Sequence, residues 1–119
     1  MDPYSKFDFE GRYVFIDRYG NRSQPRTVTL RLMDNFRLYI YAFPEKIDDI
    51  PMCNISSVMK EKLEWANESR ARFELPLRQA IIFWSDESEQ KIDELINKFN
   101  ELKQMENDKD TAKEGKDNN

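Results

Sequence analysis

A chain of 119 residues, 39% apolar and 13% aromatic, with a mean hydropathy of −0.87, has enough material for one hydrophobic core and too little for two. The formal net charge is −4: seven basic residues face five acidic ones in 1–40, six face seven in 41–79 and six face eleven in 80–119. This balance argues against general nucleic-acid binding. No apolar run approaches the ~20 residues of a membrane span, and no signal-peptide core follows Met1 to Lys6.

One cysteine, Cys53, cannot form an internal disulfide, and it fits a reducing, cytoplasmic setting. Phe7 and Phe9 belong to a lead-in. From Gly11 to Arg18 the chain reads as a strand, because Tyr13, Val14, Phe15 and Ile16 are β-branched or aromatic and turn formers follow from Tyr19 to Pro25. A second strand runs from Arg26 to Met33, where Val28, Leu30 and Leu32 alternate with Thr27, Thr29 and Arg31. After Asp34 and Asn35, a third strand alternates Phe36, Leu38 and Ile40 with Arg37, Tyr39 and Tyr41, and it stops before Pro44.

Glu45 to Asp49 reads as a polar loop. Ile50 to Ile55 then makes a short fourth strand interrupted by Pro51, and Ser57 to Trp65 a fifth. The sixth runs from Ala71 to Leu75 and the seventh from Ala80 to Trp84. Ser85 to Met105 is one amphipathic helix: Ile92, Leu95, Ile96, Phe99 and Leu102 share a face, Ser85 is the N-cap, and Asp86 and Glu87 stand at the positive end of the dipole. Burying that face is worth roughly 8 to 15 kcal/mol as an upper bound, provided a sheet covers it. The expected fold is therefore α+β, an antiparallel domain over 1–105 with a disordered polar tail at 106–119.

Seven strands followed by one helix is the element order of the pleckstrin homology-like superfold. Local features are similar to that family as well. Glu10 to Phe15 resembles its first-strand opening, Ile50, Pro51 and Met52 with Ile55 and Val58 resemble the approach to its fifth strand, and Ile81 to Ser88 resembles its last strand running into the helix. The likeness covers residues 7 to 103. Ile92 stands where the family usually has a helical tryptophan. What the resemblance implies is a seven-stranded barrel or sandwich closed by the helix, a binding module with no cofactor, and two kinds of ligand site.

One implied site takes phosphoinositide head groups at the first hairpin, where Arg12, Arg18, Arg22, Arg26 and Arg31 are available and guanidinium groups suit phosphate oxygens. The family's basic pair spaced by one residue is broken here, since Val28 follows Arg26 by two. The other site is a peptide channel between the fifth strand and the helix, with Lys60 and Lys62 along it. Phe36, Tyr39, Tyr41, Phe43, Trp65 and Trp84 could also offer a stacking surface. Most of them are expected in the core, with Trp65 and Trp84 at the surface and Trp84 on a sheet rim. Catalysis fits poorly, because the chain has no histidine, no glycine-rich phosphate loop and no base beside Cys53. The expected role is a non-catalytic adaptor or targeting domain that binds a protein or peptide, with peripheral phosphoinositide binding as the alternative.

Overall fold

A computed structural model describes residues 6–63, 68–85 and 89–117, with side chains described as far as Lys109. Seven antiparallel strands form one sheet: β1 Lys6–Ile16, β2 Arg26–Met33, β3 Arg37–Ala42, β4 Glu45–Pro51, β5 Ser57–Leu63, β6 Glu68–Glu74 and β7 Ala80–Trp84, with the helix α1 at Glu89–Asp117. The order across the sheet is β4-β3-β2-β1-β7-β6-β5. Its two edge strands do not pair with each other, so the expected barrel is an open sheet.

The long first strand explains how one sheet encloses a core. Residues 6–13 of β1 pair with β2, and residues 12–16 pair with β7. The changeover falls at Arg12 and Tyr13, just after Gly11, where a Cβ atom would collide with the Trp84 carbonyl oxygen and stand 2.9 Å from Cζ of Phe83. Only glycine permits this close crossing. Bent about that point, the sheet turns Leu30, Leu38 and Ile40 toward Phe73, Ile81 and Phe83, and all of them enter one core.

The helix covers that core with the face its periodicity marks. Ile92, Leu95, Phe99 and Leu102 are buried, and the Phe99 ring meets Phe73 edge-on at 5.5 Å. The helix packs mainly on β5 and β6. The expected helix start after Ser85, with Asp86 and Glu87, lies outside the described residues. At the other end the helix is assigned through Asp117. No proline interrupts this segment, and Gln104 donates to Asp108 one turn on at 2.9 Å.

Other boundaries also move. The lead-in with Phe7 and Phe9 belongs to β1, because those two side chains pack against the core. The polar segment Glu45 to Asp49 is the body of β4, since an edge strand tolerates charges on its wet side and Ile47 supplies its inward contact. Trp84 is not at a rim. Strand β7 is flanked by β1 and β6, and both of its faces are covered. On the outer face Trp84 joins Val14, Ile16, Ala80 and Ile82 in a second apolar cluster. Among the described residues no helix is long and apolar enough to cross a membrane.

Candidate binding surfaces

The five arginines of the first hairpin do not converge. Arg31 projects on the outer face of β2, where its Nε and Nη2 donate to the two carboxylate oxygens of Asp8 at 2.7 and 3.0 Å. Those bonds hold its pKa above the ordinary value and occupy its fork. Arg12 shares that face, in register with Thr27 and Trp84. Arg26 has the parity of the buried Val28 and Leu30 and therefore belongs to the opposite face, beside Tyr13. Arg18 and Arg22 lie in the loop between β1 and β2.

That loop has a built conformation. Asp17 Oδ1 accepts from the backbone of Tyr19 and of Asn21, both at 2.9 Å, and the bond from Asn21 leads in holding the Asp17 pKa below its usual range. Gly20 takes a φ of 85° within the turn. The result pushes Tyr19 outward, 72% exposed, with the Arg18 guanidinium 4.8 Å from its ring.

Beside it stands a loop that sequence reasoning missed. Ile16 pairs with Ala80, so the β6–β7 connection meets the β1–β2 loop at the same end of the sheet. There Leu77 and Arg78 hold left-handed φ values of 60° and 62°, and Leu77 is 70% exposed. Arg18, Tyr19, Leu77 and Arg78 line one cleft of about 470 Å³. In the sequence, Pro76 to Gln79 reads only as a turn, and nothing there distinguishes an exposed leucine from a packed one.

The second candidate region is the free edge of β5. Its seven residues pair with β6 without a bulge, and α1 lies alongside. Lys60 bridges the two elements: its Nζ is 2.8 Å from Glu89 and 2.9 Å from Asp93. Hydrogen bonding to those carboxylates raises the Lys60 pKa, and the bond from Lys60 leads in lowering that of Glu89, which also accepts from Ser69 at 3.0 Å. Farther along, the Lys103 ammonium donates to the Ile55 carbonyl. Lys62 is exposed and has the parity of Lys60, while Met59, 51% exposed, faces the other way. Trp65 lies outside the described residues.

The opposite edge is shielded. Strand β4 carries a register shift against Ile40 and Tyr41, a terminal Pro51, and charged Lys46 and Asp49 paired at 3.8 Å. Bulges, prolines and charges are how edge strands avoid unwanted pairing.

Trp84 is unsuited to docking, because Arg70 covers its ring at 4.4 Å and is itself fixed by Glu68 at 3.0 Å. Among the described members of the aromatic set, Phe43 is the one turned to solvent, 61% exposed and stacked on Tyr41 at 5.0 Å. Among the described residues no cluster of three or more histidine, cysteine, aspartate or glutamate side chains could hold a metal ion. No family model matches the chain, and no curated protein matches it.

Proposed function

We propose that the protein is a pleckstrin homology-like, non-catalytic binding module of the cytoplasm, an adaptor that takes an extended segment of a partner protein along β5. The observation that carries this reading is the contrast between the two edges: β4 is bulged and ended by proline, whereas β5 is unbroken in register, free of proline and lies beside a helix. An edge strand leaves every second N–H and C=O unpaired, and an added strand satisfies them. Met59 on one side and Lys62 on the other would then read alternate side chains of the ligand, with an apolar residue favoured at the first and an acidic one at the second. The strand order, with a C-terminal helix over β5 and β6, supports the family reading.

The test uses peptides selected from a random library against the whole chain. Binding should slow amide exchange over residues 57–63 and should be lost in Met59→Glu and Lys62→Glu. Selected peptides that leave β5 exchange untouched would end this reading.

A second reading, docking on anionic membranes, is favoured by one arrangement. Two exposed apolar side chains, Tyr19 and Leu77, are flanked by Arg18 and Arg78 at one end of the sheet. Apolar tips that enter the interface while arginines meet anionic head groups give reversible attachment. Sedimentation with phosphatidylserine and phosphoinositide vesicles should then show binding that Tyr19→Ser abolishes and Arg31→Ala leaves intact. Absence of sedimentation with wild-type protein would exclude it.

A further inference from the structure

On the outer face of β1, β2 and β3, side chains stand in rows set by the register. One row is Asp8, Arg31 and Tyr39, and the next is Glu10, Thr29 and Tyr41. In the first row the arginine is forked onto the carboxylate, and its Cζ lies 4.8 Å from the Tyr41 ring and 5.9 Å from that of Phe43. In the second row a short threonine stands where the first has its arginine. The space this leaves is a cleft of about 410 Å³, walled by Glu10 on one side and by Tyr41 and Phe43 on the other, with Thr27 and Thr29 as its floor.

Two other carboxylates on this face are matched by cations. Asp8 pairs with Arg31, and Asp49 pairs with Arg37 at 2.7 Å and with Lys46. Lys46 also lies 4.3 Å from the Tyr39 ring, so both Arg31 and Lys46 rest on β3 aromatics and pair with a carboxylate. Glu10 has no such cation among the described residues. Arg12 follows it along β1 but does not line the cleft.

We infer that this cleft takes an arginine side chain of a partner protein, its guanidinium on Glu10 and its planar face against Phe43, just as Arg31 forks onto Asp8 in its own row and lies against Tyr41 in the next. Arginine fits better than lysine because its flat, weakly hydrated head can fork onto a carboxylate and stack on a ring at the same time. A phosphate-bearing ligand is disfavoured by the Glu10 carboxylate. The site lies on the outer sheet face, away from the β5 edge, and stands whether or not a peptide adds there.

The probe is acetyl-Gly-Arg-Gly-amide, titrated into the full chain and followed by amide NMR, with the citrulline peptide as an uncharged isostere. Saturable shifts should appear at Glu10, Thr29 and Phe43. Affinity should fall about tenfold or more for the citrulline peptide and for Glu10→Gln, the scale of one charge-assisted hydrogen bond. Phe43→Ala should weaken binding as well. Retained shift dispersion in each variant would show that the fold survives. Shifts that do not saturate, equal affinity for citrulline, or perturbation confined to residues 57–63 would overturn the inference; the last would still favour the β5 reading.

Discussion

Lys60, on the free edge strand, stands 2.8 Å from Glu89 on the helix, and this pair ties the two walls of the proposed channel together. The sign of its pH dependence follows from the two shifts. Glu89 titrates below its ordinary 4.5 in the folded protein, so its contribution is present above that value and is lost as pH falls through the folded pKa. Lys60 titrates above 10.5, so its contribution is present below that value and is lost as pH rises through the folded pKa. Glu89→Gln should therefore reduce the fall in urea midpoint between neutral and acid pH, compared with wild type. Identical acid limbs in the two proteins would mean that the pair contributes nothing in solution.

Gly11 gives the sharpest steric prediction. A methyl group there meets the Trp84 carbonyl, a backbone atom that cannot rotate aside, and the rim of the Phe83 ring. Gly11→Ala must push β1 and β7 apart at the point where the sheet bends. Overpacking of this kind costs about 1–3 kcal/mol and can cost more where backbone is involved. Chemical denaturation should show a loss in that range, and a neutral substitution would show that the crossing is looser than described.

Leu77 offers the opposite sign. Its φ of 60° and ψ of 36° place a leucine in the left-handed region, and its exposed side chain has little packing to lose. Leu77→Gly should raise stability by up to about 1 kcal/mol, with part of the relief offset by the greater freedom of glycine in the unfolded chain. If the membrane reading holds, the same substitution weakens vesicle binding. A variant both less stable and unchanged in vesicle binding would remove any special role from this loop.

The sequence was most legible where one physical signal dominated. The helical spacing of Ile92, Leu95, Phe99 and Leu102 named the buried face, and the alternation in Arg26 to Met33 and the apolar run Ala80 to Trp84 located β2 and β7 with their ends. It was least legible at the edges and in the pairing. Strand β4 hid because edge strands carry charge, and Trp84 was misplaced because local pattern does not reveal that β7 pairs with β1, some seventy residues earlier in the chain. The arginines were legible as a set of residues but not as a surface. Parity put Arg26 and Arg31 on opposite faces, and Asp8, from a segment read as lead-in, neutralised one of them. Leu77 and Arg78 gave no signal at all, since their interest comes from the neighbouring loop.

Asp48 and Tyr13 supply the last prediction. The Asp48 carboxyl lines a cleft of about 330 Å³ with Phe15, Ile50, Leu75 and Pro76, and burial among these groups raises its pKa. Tyr13 is also raised, first by burial and then by the charge of Asp48. A carboxyl whose folded pKa lies above its unfolded value opposes folding when ionised, so its penalty is full at neutral pH and is relieved as pH falls through the folded pKa. This is the reverse of Glu89. Asp48→Asn should therefore be more stable than wild type at neutral pH, by a margin that shrinks toward acid. The same change should lower the Tyr13 pKa without returning it to 10.0, because the desolvation of the phenol remains. Ring NMR of Tyr13 through an alkaline titration reads the second effect directly, and urea midpoints against pH read the first. A Tyr13 titration unmoved by the substitution would show that the two groups do not sense each other.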